Sequence, residues 1–329
     1  MFLYKNDLTA AMALLARGRE LFVPGTVDGV RRFRPWQGEE PELSGESTAL
    51  PPKDILFPKT EKMYSFRLAD PDTVEETVCS PERVIFGLRP CDVHSVMCMD
   101  AVFLGGEYED GFYARRRGHC LLVAAACSDA GENCFCEAMG LSPNDAPGAD
   151  ILLREVSEGF FVKSLTDRGE AELAALGRLL HEGDFEYGDT RCTLSPPYAA
   201  VSERLPELFE STALWRRFSD PCLRCGVCAY VCPTCYCFDI QNNDVRGAEG
   251  AAFRCWDSCM FSDYNQNAGG HNPRPTGLER LRNRYMHKLS YFRERFGMPL
   301  CSGCGRCIGR CPAHLDITEF ISAAEEALK

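Results

Sequence analysis

The sequence predicts an α/β unit over residues 1–215 joined to a smaller α+β unit over residues 216–329. Three observations carry that expectation. The runs 83–88 (RVIFGL) and 118–126 (GHCLLVAAA) read as buried apolar strands flanking a helical stretch at 91–103, the order of a parallel β-α-β unit. Past residue 215 this alternation gives way to a segment in which one cysteine pattern occurs twice. A length of 329 residues with 45% hydrophobic and 26% charged side chains is enough to build two cored units.

In chain order, the α/β unit opens with a helix at 7–20 and strand-like segments at 21–23 and 64–68. Residues 36–54, rich in Pro, Gly, Glu and Ser, read as a long surface loop. After the 83–88 strand, the 91–103 helix and the 118–126 strand comes a further strand at 160–163, and apolar spacing predicts helices over 167–181 and 197–211. The unit carries neither G-x-G-x-x-G nor a P-loop, so nucleotide sites of those kinds are unsupported. The formal charge of −12 argues against nucleic acid or an anionic membrane as partner. Apolar runs such as 121–127 fall far short of the ~20 residues of a membrane helix. The apolar stretch 10–16 lacks a basic region and a cleavage site, so it reads as a helix, and the chain is expected in the cytoplasm.

In that compartment twenty cysteines suggest metal. Cys222, Cys225, Cys228 and Cys232 precede Pro233, and Cys301, Cys304, Cys307 and Cys311 precede Pro312. Each set is C-x2-C-x2-C-x3-C-P, the run of two-cluster bacterial ferredoxins. Two-residue gaps let the chain curl around one face of an iron–sulfur cube and place three thiolates on three irons, while the fourth cysteine points at the other cube. Ligation is therefore expected to cross: Cys222, Cys225, Cys228 and Cys311 on one [4Fe-4S] cluster, Cys301, Cys304, Cys307 and Cys232 on the second. A zinc ribbon, the alternative, needs two C-x2-C pairs and has no use for a third step with a trailing Cys-Pro. The second unit is thus predicted to be a two-[4Fe-4S] ferredoxin-like α+β domain with a long insertion, 233–300, between its motifs.

That insertion carries Cys235, Cys237, Cys255 and Cys259 and then a basic helix over 278–296. The four thiols suit either a further cluster or the surroundings of a neighbouring one. From Arg274 to Arg295 seven Arg or Lys stand against Glu279 and Glu294. They form either a solvated helix face, or cations that offset buried cluster charge or dock an acidic partner subunit. In the α/β unit, Cys91 and Cys127 follow the two apolar strands. If those strands are parallel neighbours, both thiols emerge at carboxyl ends, where open α/β sheets place ligands. Cys134 and Cys136 lie on the loop beyond, after the turn-forming Gly131, Glu132 and Asn133, so a third iron–sulfur cluster is predicted on Cys91, Cys127, Cys134 and Cys136. Zinc or ordinary reduced cysteines are the alternatives there. Cys79, Cys98, Cys120 and Cys192 lack such grouping and read as structural.

With these residues in view, the chain resembles the iron–sulfur A subunit of anaerobic sulfite reductase and the beta subunits of cytoplasmic sulfhydrogenases. The resemblance rests on Arg89-Pro-Cys-Asp92, Asn133-Cys-Phe-Cys136 with Met139-Gly140, the block from Cys232 to Cys237, and Trp256-x-Ser-Cys259. It continues through Gly269-Gly-His271, His287-Lys288 and the second ferredoxin motif, covering most of the chain from about residue 83. It implies an electron carrier between a flavin/NAD(P)H-binding subunit and a catalytic subunit of sulfite reductase or hydrogenase type. The six histidines (His94, His119, His181, His271, His287, His314) form no readable nucleophile–base–orienter set, in keeping with a chain that lacks its own substrate site. The expected function is an electron-transfer subunit of an oxidoreductase. The alternatives are a flavin- or substrate-binding reductase with catalysis in the α/β domain, and a scaffold with structural clusters, which the acidic charge opposes.

Overall fold

A computed structural model describes the chain apart from residues 46, 68–69, 78–79, 184–187 and 246–248. Its strands are β1 Phe2–Tyr4, β2 Glu20–Val27, β3 Val30–Pro35, β4 Thr60–Arg67, β5 Asp70–Glu76 and β6 Arg83–Leu88. They continue with β7 Cys120–Ala125, β8 Ile151–Val156, β9 Gly159–Ser164, β10 Leu180–His181, β11 Phe238–Val245 and β12 Glu249–Trp256. Eight form one sheet in the order β10-β1-β9-β8-β7-β6-β2-β3, and four form a second, β11-β12-β4-β5.

The centre of the large sheet is parallel: β2 pairs β6, β6 pairs β7 and β7 pairs β8. β7 is buried along its whole length and β6 along all but its first residue, as strands covered on both faces must be. Side chains alternate between two cores. Val84, Phe86, Leu121 and Val123 face the helices Leu8–Leu15 and Asp167–Leu176. Ile85, Leu88, Leu122 and Ala124 face the crossover helix Pro90–Phe103. That helix starts sharply because Pro90 fixes its first turn and Arg89 and Asp92 form a reciprocal cap.

The expected strands at 21–23, 83–88, 118–126 and 160–163 correspond to β2, β6, β7 and β9. The 64–68 segment lies in β4, although Leu68 is outside the described residues. Several helices are shorter than expected. The first covers Leu8–Leu15, ahead of Gly18 at φ 73°. The 167–181 helix stops at Leu176, where Gly177 takes φ 50° and the chain turns into β10 to pair with β1. Residues 197–211 give only the turns Tyr198–Val201 and Leu205–Leu208, since Pro206 has no N–H to continue a helix. The 36–54 stretch is irregular, but much of it is not superficial. Leu43, Thr48 and Lys53 are buried, Arg89 reaches the Leu43 and Gly45 carbonyls, and Arg306 donates to Thr48 O at 2.6 Å.

The second sheet crosses the boundary expected at residue 215. β12, from the insertion, pairs antiparallel with β4. Buried charge fastens the joint: Glu61 accepts from Arg254 at 2.7 Å and from Arg116, and Arg254 also reaches Asp110. A further core gathers Trp215, Tyr285, Leu289 and the C-terminal helix Ile317–Ala327, with Trp215 stacked on Phe320 at 4.8 Å. Cys222, Cys228 and Cys307 pack against it.

Candidate metal centres

The two cysteine runs share one backbone course. The residue before the second cysteine and the one after it are both left-handed: Arg224 (58°) and Gly226 (75°) in the first run, Gly303 (63°) and Gly305 (70°) in the second. A one-turn helix follows each, Val227–Tyr230 and Arg306–Gly309. This reversal lets the N–H of Arg224 donate to the Cys222 sulfur and that of Gly303 to the Cys301 sulfur. Cys222, Cys225, Cys228 and Cys311 line one cavity, walled by Met260, Leu281, Tyr285 and Ile317. Cys232 stands instead beside Cys301 and Cys307, with Cys304 next to them. The fourth cysteine of each run therefore sits with the first three of the other.

In the α/β unit, Cys91 lies in the first turn after β6 and Cys127 just beyond β7, where its N–H bonds to Pro143 O at 2.9 Å. The turn from Gly131 brings back Cys134, whose N–H reaches Gly131 O at 2.9 Å. Cys91, Cys127, Cys134 and Cys136 line one pocket together with Cys192 and Cys304. Sequence reading left Cys192 ungrouped because nothing local marks it; the structure brings its sulfur to 3.3 Å from that of Cys136. Cys98 and Cys120 are buried in the core, and Cys79 lies outside the described residues.

The N-terminal pocket and the second ferredoxin run touch through backbone. Phe135 N–H donates to Gly303 O at 2.8 Å, and a Cβ on Gly303 would lie 2.5 Å from both Cα and N of Cys136. Gly303→Ala combines that overlap with a left-handed φ. It is expected to destabilise the fold by about 3 kcal/mol, seen as a lower thermal midpoint than wild type at equal iron loading.

In the insertion, the thiols of Cys237 and Cys259 hydrogen-bond, with Cys235 beside both Cys259 and Cys232. Cys255 lies on β12, in register with Asp239 and Thr60. The basic helix is Gly277–Met286, a π turn His287–Tyr291 and Phe292–Phe296. Its cations Arg280, Arg284 and Lys288, four residues apart, are buried, so this part of the helix is not a solvated face. Arg284 donates to Cys228 O at 2.8 Å and Lys288 to Thr234 Oγ1 at 2.8 Å. Lys53, from the irregular stretch, donates to Cys235 O at 2.9 Å and lies 4.0 Å over the Trp256 ring.

Among the described residues, Lys53, Arg284 and Lys288 have no carboxylate partner, and Arg284 Nε has no hydrogen-bond acceptor. Burial alone depresses an ammonium, and it does so at Lys53. At Lys288 burial pulls the same way, but Cys232 and Cys235 outweigh it and the group is held above its ordinary value. His287 is pushed down to about 4 by burial and by Lys288, which leaves it neutral beside the Tyr236 hydroxyl at 3.0 Å. Unpaired buried cations cost several kcal/mol each. A thiolate-bound iron–sulfur group carries net negative charge, so the residues present fit such a group. Among the described residues no three His, Cys, Asp or Glu side chains converge on a single ion, as zinc would require.

Residues 221–315 match the 4Fe-4S dicluster domain. Sulfhydrogenase 2 subunit beta of Pyrococcus furiosus is 31% identical over 299 residues, which cover 88% of this chain and 87% of that protein. The chain belongs to the sulfhydrogenase beta-subunit family of iron–sulfur proteins. No solved structure matches it. As a member of this family it is an iron–sulfur electron-transfer subunit of an oxidoreductase. Among the described residues no helix is long and apolar enough to cross a membrane.

Proposed function

We propose that this beta-subunit homologue relays electrons between a flavin/NAD(P)H-binding subunit and a catalytic redox subunit of sulfite reductase or hydrogenase type, in the cytoplasm. Three sites carry the relay. Cys222, Cys225, Cys228 and Cys311 hold one [4Fe-4S] cluster, and Cys301, Cys304, Cys307 and Cys232 hold the second. The third belongs to the N-terminal pocket of Cys91, Cys127, Cys134 and Cys136. Bound there, the clusters supply one-electron carriage.

The observation that carries this reading is the continuity of the three cysteine groups. Cys304 lines the N-terminal pocket while belonging to the second run, and Cys307 lines the cavity of Cys222, Cys225 and Cys228. An electron arriving at one group thus has a neighbour to pass to. Arg284 and Lys288 balance negative charge between the groups, and Met260, Leu281 and Tyr285 exclude water from the first. At the outer end Cys225 is exposed and Leu223 is 65% exposed, which gives a partner subunit access to the first group.

Anaerobic reconstitution of the chain tests the proposal. It is expected to reach about 12 irons, four for each of three clusters. Stepwise reduction should give coupled electron paramagnetic resonance signals, and the chain alone should bind no flavin. A ceiling of about 8 irons would remove the third cluster from the relay. Stoichiometric flavin on the single chain, with turnover of a substrate, would favour a reductase centred on the α/β unit.

A further inference from the structure

Five cysteines surround the N-terminal pocket, where a cube needs four. The excess is resolved by the spacing of two of them. The sulfurs of Cys136 and Cys192 lie 3.3 Å apart. Two thiolates on one metal ion stand ~3.8 Å apart, given tetrahedral bonds of about 2.3 Å. Thiolates on different irons of a cube are more widely separated still. Cys136 and Cys192 therefore occupy one corner between them, and only one can be the ligand.

Their hydrogen bonds differ. The Cys192 sulfur accepts the backbone N–H groups of Cys136 and Glu137 and the thiol of Cys136. N–H donors converging on one sulfur are the surroundings of a ligating thiolate, and they tune its cluster. Cys136 is the donor of the pair. The loop that carries Cys192 is also fastened over the pocket. Thr190 Oγ1 donates to Cys127 O at 2.6 Å and Thr190 N to Asn144 Oδ1 at 3.0 Å. Cys192 N donates to Glu137 Oε2 at 2.5 Å and Leu194 N to Cys134 O at 3.1 Å. These bonds set Cys192 beside Cys127 and Cys134.

We propose that Cys192 is a ligand of the N-terminal iron–sulfur site, completing a set with Cys91, Cys127 and Cys134, and that Cys136 hydrogen-bonds its sulfur from behind. The assignment rests on the reading of a cluster in this pocket and changes one of its four ligands. Cys136 becomes a positioning residue.

The full chain is reconstituted anaerobically as wild type, Cys192→Ser, Cys136→Ser and Cys127→Ser, and read by iron content and Mössbauer and electron paramagnetic resonance spectra. Cys192→Ser and Cys127→Ser are each expected to lose about four irons and the third signal, keeping the two ferredoxin-type signals as evidence of a folded chain. Cys136→Ser is expected to keep all the iron with a shifted third signal. Loss from Cys136→Ser with retention in Cys192→Ser overturns the assignment, as does loss from both or from neither. If Cys192→Ser loses more than about four irons, Cys192→Asp decides: an altered third signal supports the proposal and its absence overturns it. A wild-type chain that stops at about 8 irons removes the cluster itself, and the assignment with it, an outcome distinct from a wrong ligand.

Discussion

Replacing Cys311 by alanine is expected to remove four irons from the chain, and to take them from the group of Cys222, Cys225 and Cys228 rather than from the nearer Cys301, Cys304 and Cys307. Cys311 follows the second run in sequence but lines the cavity of the first. Its sulfur accepts the N–H of Leu315 at 3.3 Å, which holds it at that wall. Without it the cavity keeps three thiolates, while the buried Arg284 loses much of the negative charge it faces. The second group keeps Cys232 and all its thiolates. Spectroscopy of the variant should therefore show an isolated, uncoupled cluster of the second group. Loss confined to the group of Cys301, Cys304 and Cys307 would overturn the crossed assignment.

The second large effect is electrostatic. Lys288 is buried, faces Cys232, Cys235 and Cys301, and has no carboxylate partner among the described residues. Reduction adds a negative charge to the group it faces, so this ammonium favours the reduced form. A unit charge ~5 Å away at an effective dielectric constant of ~20 contributes about 3 kcal/mol. For a one-electron couple that is on the order of 100 mV. Lys288→Met is expected to lower the midpoint potential of the Cys232, Cys301, Cys304 and Cys307 site by that amount, with Lys288→Arg close to wild type. A redox titration followed by electron paramagnetic resonance measures it. An unchanged or raised potential in Lys288→Met would mean that the cation does not act on this site.

Both results turn on how residues distant in sequence meet, and that divides what was legible from what was not. The sequence by itself determined the repeated cysteine runs, because wrapping a cube needs thiolates at fixed short steps and a short step is a property of local chain. It determined β6, the crossover helix and β7 for a similar reason: continuous apolar runs of strand length must be buried on both faces. It placed Cys91 and Cys127 after those strands, and the parallel pairing of β6 with β7 puts both at one end of the sheet. Helix ends were less legible where one residue decided them, as at Gly177 and Pro206.

Only the tertiary structure decided the partners that lie far along the chain. Cys192 meets Cys136 across 56 positions, and Lys53 meets Cys235 across 182. Neither carries a local signal, because a single cysteine or lysine has no period to read. The inward turn of Arg284 and Lys288 was equally hidden. A basic helix reads as solvated until the groups packed against it are known, and here those groups are thiols that no carboxylate replaces. The pairing of β12 with β4 is of the same kind, since a strand's pattern fixes its faces but not which edge it will join. Local spacing encodes which thiolates can hold a cluster, while packing of distant segments sets the charge, hydrogen bonds and neighbours around them.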